Sequence, residues 1–273
     1  MPELVLDEQQ LTAIGSTLEQ TQAQFPDQSL DRLRACLTMV ASGKTPLSEH
    51  ANQRPEFFYP GLNNRPWYDP SEIPACRILE DAYPAIRAEL DSVLGYRKGF
   101  ETFAGTIGER ESYITGDMNV FYLRDAFSTQ PERIATNRNL CPQTAKAIDN
   151  LPRMGEMAFF SALNPGTYLA PHCGAENLRV TVHLGLKIPK DCAIEVGGIA
   201  KTWQEGKCIV FDDSFTHCAW NRSNTTRFIV LLDVWNPDLN DAEVQFFRTV
   251  GPMLNRTPVL AGADSLDGKT WWK

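Results

Sequence analysis

The sequence predicts a mainly β fold braced by helices, built as a β-sandwich or jelly roll. Three observations point there. Residues 179–188 alternate, with Val180, Val182, Leu184, Leu186 and Ile188 on one face and Arg179, Thr181, His183, Gly185 and Lys187 on the other. Residues 227–234 alternate again, Phe228, Val230, Leu232 and Val234 standing opposite Arg227, Ile229, Leu231 and Asp233. Short runs of this kind, divided by Gly and Pro turns, are the pattern of packed antiparallel sheets.

The elements follow in order. Leu11, Ile14 and Leu18 recur at helical spacing over 8–22, and Leu30, Leu33, Leu37 and Val40 repeat it over 29–41, with Ser29 as the N-cap. Residues 43–75, rich in Pro, Asn and Gly, read as a long loop able to cover an active-site mouth; it carries Trp67 and a solvated His50. Ile78, Leu79, Ala82, Ile86 and Leu90 predict a helix over 76–95, split or kinked at Pro84 and ended near Gly95. Tyr113, Val120, Phe121, Tyr122 and Leu123 mark strand over 112–125, and Pro142 opens a short helix through Leu151. From Met157 the strands take over. The closing segment 238–273 is expected to be irregular, with Trp271 and Trp272 near its end. The expected organisation is a helical and loop extension over 1–100, a β core over 101–250 and a tail over 251–273, packed as one unit.

A chain of 273 residues can bury a sizeable core. Its net charge of −8 argues against nucleic acid or an anionic membrane as partner. The acidic start, Met1 to Glu8, does not read as a leader, and no apolar run is long enough to span a bilayer, so a cytoplasmic protein is expected. Seven cysteines (Cys36, Cys76, Cys141, Cys173, Cys192, Cys208, Cys218) form no Cys-x-x-Cys pair, and their odd count argues against a disulfide framework. Cys173 and Cys218 follow histidines, but strand neighbours point to opposite faces, which makes them core residues rather than ligands.

Three of the four histidines, His172, His183 and His217, fall on strand-like segments between 158 and 237. Non-haem Fe(II) oxygenases commonly hold iron with two histidines and a carboxylate. Here the near pair reads His172-x-Gly174, so the carboxylate is missing, and His217 is the plausible distal ligand.

These residues resemble the aspartyl/asparaginyl β-hydroxylase family of 2-oxoglutarate-dependent oxygenases. The likeness runs through Ser161, Pro165-Gly166-Thr167, Pro171-His172-Cys173-Gly174, Asn177, Arg179, His183-Leu184-Gly185-Leu186, Trp203, Gly206, Phe211-Asp212-Asp213-Ser214-Phe215, His217, Arg227 and Asp233-Val234-Trp235-Asn236-Pro237. A weaker echo lies at Pro60-Gly61-Leu62 and Arg65-Pro66-Trp67-Tyr68-Asp69. That family also uses two histidines without the carboxylate, so Gly174 agrees with it. The resemblance implies a double-stranded β-helix (cupin-like jelly roll) and a Fe(II)/2-oxoglutarate dioxygenase. Its reaction hydroxylates an unactivated carbon of an amino-acid-derived or peptidyl substrate, with succinate and carbon dioxide as co-products. It implies His172 and His217 as iron ligands. Arg227 and Ser161 would hold the distal carboxylate of 2-oxoglutarate, and His183 its other carboxylate. Substrate contacts would come from Arg179, Thr181 and Trp67. The family carries arginines at both 179 and 181; Thr181 departs from it, which implies a less acidic or smaller substrate. Asp212 and Asp213 read as turn-forming residues or as groups that orient a histidine. A halogenase or other tailoring oxygenase, with halide at the glycine-vacated position, is a second expectation; a non-catalytic binding barrel is a third.

Overall fold

The computed structural model describes residues 8–44, 46–96, 99–103 and 113–254. Six helices and twelve strands run α1 (Glu8–Gln24), α2 (Asp31–Ala41), β1 (Trp67–Tyr68), α3 (Pro74–Tyr96), β2 (Glu101–Thr102), β3 (Ile114–Thr115), β4 (Met118–Asp125), α4 (Pro131–Leu140), α5 (Pro142–Asp149), β5 (Met154–Leu163), β6 (Tyr168–His172), β7 (Arg179–Lys187), β8 (Cys192–Val196), β9 (Ile199–Lys201), β10 (Cys208–Phe211), β11 (His217–Asn221), β12 (Arg227–Trp235) and α6 (Asp241–Leu254) among these residues.

The last eight strands wind as one antiparallel ribbon. β5 pairs with β12, β6 with β11, β7 with β10 and β8 with β9. Folding that ribbon over itself places β10-β7-β12-β5 in one sheet and β6-β11-β8-β9 in the other, the double-stranded β-helix of a jelly roll. β1, β4 and β2 widen the larger sheet, and β3 the smaller.

The expected alternation sets the layers. Val180, Val182, Leu184 and Leu186 of β7, with Val230, Leu232 and Val234 of β12, are buried against Leu79, Ile86 and Leu90 of α3 and Ile148 of α5. The opposite face of both strands looks into the space between the sheets. A separate core under α1, α2 and α6 gathers Ile14, Leu33, Tyr59, Phe246 and Phe247. Between these helices Arg32 gives Nε and Nη2 to Glu243 at 2.9 and 2.6 Å, and Tyr59 adds its hydroxyl at 2.6 Å. Burial pushes the Glu243 carboxyl up, but these bonds outweigh it and hold the group below its ordinary range.

Several expectations need correction. Residues 241–254 are helical, not irregular, because Asn240 and Glu243 cap each other's backbone N–H at 2.9 and 3.0 Å and start α6. Residues 255–273, including Trp271 and Trp272, lie outside the described residues. α3 continues through Pro84 as one helix. The α2 cap position is Leu30; Ser29 Oγ accepts from Asp31 N at 3.1 Å, one residue further out. α4 was not expected, and among its residues only Asn137 is buried, so it has no apolar stripe to read. His50 is half-buried, with its ring 5.4 Å from that of Phe215.

Candidate metal centre

His172 closes β6 and His217 opens β11, and the two are directly paired across the smaller sheet. Their ring centroids are 4.1 Å apart. His172 Nδ1 lies 2.8 Å from Ala170 O, and His217 Nδ1 lies 2.9 Å from Phe215 O. A carbonyl oxygen only accepts, so both rings carry a proton on Nδ1, which in the neutral imidazole leaves the lone pair on Nε2. Two such nitrogens from adjacent strands could supply two ligands to a metal. Among the described residues, no group of three or more His, Cys, Asp or Glu is placed to hold a metal. All seven cysteines are free thiols.

Gly174 stands where a His-x-Asp pattern would put its carboxylate. A Cβ there would come within 2.5 Å of the Asp213 carboxylate, so Asp213 fills the space a side chain at 174 would need. Asp212 plays a different part. Its Oδ1 accepts from Ser214 N at 2.9 Å and Ser214 Oγ at 2.5 Å, closing the turn before His217, as expected of a turn former.

From the histidine pair a chain of contacts runs into the lumen. The Phe211 ring lies 5.8 Å from His217 and 4.9 Å from His183. Trp203 donates its indole N–H to His183 Nδ1 at 3.1 Å, and its ring lies 4.9 Å from the Arg227 guanidinium. Arg227 Nη1 reaches Ser161 Oγ at 3.4 Å. Ser161, His183 and Arg227 are thus brought together with the histidine pair.

The electrostatics of this lumen are uncompensated. An indole N–H only donates, so His183 carries its proton on Nε2, and that buried N–H has no partner. Burial, then Arg227, then His217, push the His183 pKa well below its ordinary value, so the ring is neutral. Arg227 is 3% exposed, its Nε has no partner, and among the described residues no carboxylate lies within ion-pair distance. Burial alone pulls its pKa down, to about 10. A buried cation with one N–H unpartnered, beside a buried imidazole N–H without an acceptor, could cradle an anion.

The predicted substrate contacts are placed differently from one another. Arg179 gives Nε to Glu176 at 2.6 Å and lies 3.1 Å from Asp233 through Nη1, so its charge is already matched. Asp233 in turn accepts from Glu156 N and Met157 N, tying β12 to the start of β5. Thr181 is buried on the lumen face, paired with Phe211 and Asp233. Trp67 packs behind the site, its ring 5.6 Å from Phe211 and its indole N–H bonded to Ile199 O at 3.2 Å.

The jelly roll thus brings a pair of oriented histidines and a buried arginine without a carboxylate partner to one lumen, and comparison with known proteins narrows the class. Residues 80–237 match the family described as aspartyl/asparaginyl beta-hydroxylase, and the chain belongs to that family. It is 33% identical over 209 residues to the Xenopus tropicalis protein named aspartate beta-hydroxylase domain-containing protein 2, covering 72% of this chain and 55% of that one. It is 34% identical to the Rhizobium tropici ornithine lipid ester-linked acyl 2-hydroxylase, covering 66% and 63%. It is 35% identical to human aspartyl/asparaginyl beta-hydroxylase, covering 68% of this chain and 25% of that one. The chain thus spans between a quarter and two thirds of the length of these relatives.

Proposed function

We propose that the chain is a Fe(II)/2-oxoglutarate-dependent dioxygenase that hydroxylates an unactivated carbon of an amino-acid-derived or peptidyl substrate. The observation that carries this reading is the uncompensated pair of Arg227 and His183, set one contact chain away from two imidazoles that both present Nε2. A five-carbon dicarboxylate would satisfy both ends of that arrangement. Bound iron and keto acid would supply dioxygen activation, coupled to oxidative decarboxylation that yields succinate and carbon dioxide.

The chain's own residues would do the rest. His172 and His217 supply two metal ligands, each locked by a backbone carbonyl. Arg227 takes the distal carboxylate through its planar guanidinium, with Ser161 beside it. His183, kept neutral, donates Nε2–H to the carboxylate end nearer the metal. Phe211, Ile229 and Leu231 wall the lumen and exclude water.

The substrate reading follows from Arg179. Glu176 and Asp233 already balance its charge, which supports a less acidic or smaller substrate than an aspartyl side chain. The relatives' names differ in substrate, one being an ornithine lipid ester-linked acyl 2-hydroxylase. The test is 2-oxoglutarate turnover, read as succinate released with Fe(II) present. A His172→Ala/His217→Ala variant is expected to fall to background; wild-type turnover in that variant would end the reading.

A further inference from the structure

The two histidines are oriented by the same device in different settings. Ala170, whose carbonyl fixes His172, lies within β6, at the bulge in its pairing with β11. Phe215, whose carbonyl fixes His217, lies in the turn before β11 begins. Gly174 N donates to Asp213 O at 2.7 Å and Gly197 N to Thr216 O at 2.9 Å, and the rest of that turn is held by a strap running through Asn52, Gln53 and Arg54. Thr216 N donates to Asn52 O at 2.6 Å, Arg54 N donates to Ser214 O at 3.1 Å, and Gln53 forms a β-bridge with Phe215.

One side chain of the strap reaches into the turn. Gln53 is 1% exposed, and its Nε2 lies 2.8 Å from Ser214 Oγ, 3.1 Å from Asn64 Oδ1 and 3.3 Å from Asp212 Oδ2. It therefore grips both residues that close the turn, Asp212 and Ser214. The Asp212 carboxyl accepts from Ser214 within the turn and from the Gln53 amide outside it. The strap is itself anchored, since Asn177 brackets Tyr59 with bonds to its N–H and carbonyl at 2.7 and 2.9 Å, and Arg32 holds Gly61 O at 2.7 Å. Gln53 precedes the family match, which begins at residue 80.

We infer that Gln53 is a positioning residue for the distal metal histidine, setting the His217 ring through the Asp212–Ser214 turn and the Phe215 carbonyl. This rests on the two-histidine reading above. A group that orients a metal ligand without touching the metal changes affinity by about 10- to 100-fold when lost. The role is therefore read in metal binding, not in folding.

The experiment titrates Co(II) into the folded, metal-free chain and follows its visible d–d bands. Gln53→Leu keeps the volume and removes the donors. Leu123→Ala, in the core on the far side of the larger sheet, serves as a control of comparable or greater loss of melting temperature. The expected result is a Kd for Co(II) raised at least tenfold in Q53L, with altered band positions, and a Kd within twofold of wild type in L123A. Equal affinities in Q53L and wild type, or equal losses in the two variants, would overturn the positioning role alone. If Q53L gives no folded protein, Ser214→Ala cuts the same contact from the other end and is read by the same criteria. A wild-type chain that binds no Co(II) would overturn the two-histidine reading and this inference with it.

Discussion

The two faces of β7 and β12 show two different kinds of interior. Toward α3 and α5, the side chains of Val180, Val182, Leu184, Leu186, Val230 and Leu232 are fully buried in an apolar cluster. Toward the lumen, the same strands bury Thr181, His183, Arg227 and Asp233, with polar atoms of His183 and Arg227 left without partners. Strand periodicity alone separates them, since neighbouring side chains point to opposite faces. One face supplies stability. The other withholds hydrogen bonds that a ligand would complete. A residue two positions away along a strand therefore shares a role, while its immediate neighbour does not.

The sharpest way to break this contrast is Arg227→Met. Keto-acid affinity should fall by about 3 kcal/mol or more, roughly 100-fold, because the guanidinium is the only cation at that end of the described lumen. Thermal stability should hold or rise, since an unpaired buried charge is replaced by an apolar chain of similar size. Calorimetric titration of 2-oxoglutarate and a melting curve read the two halves. A large drop in melting temperature would show that Arg227 serves the core.

Leu184→Ala tests the opposite face. It should destabilise the fold by about 2–5 kcal/mol through the cavity it leaves, while 2-oxoglutarate affinity of the folded protein stays within about twofold. Denaturant unfolding and the same titration decide it. A smaller effect is expected from Trp203→Phe, which removes the N–H that fixes the His183 tautomer. Losing one buried hydrogen bond of this kind costs about 1–3 kcal/mol, so keto-acid affinity should weaken about tenfold.

Asp212 gives the most pH-dependent effect. Burial pushes its carboxyl up to about 8, from an unfolded value near 3.9. Between those values the folded chain holds a proton that the unfolded chain does not, so the Asp212 contribution to stability falls as pH rises from about 4 to about 8. Asp212→Asn mimics the protonated form and should flatten that decline, measured as melting temperature against pH. An unchanged slope would place the Asp212 carboxyl near its ordinary range.

Much of this was legible from residue order because burial is one-sided. The alternation in β7 and β12 and the helical spacing in α1, α2 and α3 each mark a face turned to a core. His172, His183 and His217 stand out by strand position, while the roles of His183, Arg227 and Ser161 come only through the resemblance; the structure links these side chains by a chain of contacts. What sequence could not carry is pairing between distant polar groups. Gln53 meets Asp212 across 159 positions, and Arg179 meets Asp233 across 54, neither leaving a local trace. Which nitrogen of His183 holds the proton depends on Trp203, a contact set by tertiary packing. α6 was missed although its signal was present, since Asn240 and Glu243 have the spacing of a capping box and Ala242, Phe246 and Val250 recur every fourth residue.

The central claim is that the paired histidines and the Arg227–His183 cradle serve one bound assembly. Its direct test is anaerobic addition of Fe(II) and 2-oxoglutarate to the folded, metal-free chain, followed by visible absorption. The account expects the weak charge-transfer band of an iron–keto acid chelate, retained with lower affinity in Arg227→Met and lost in His172→Ala/His217→Ala. A folded wild-type chain that gives no band would contradict it and leave the lumen as a binding cavity for some other anion.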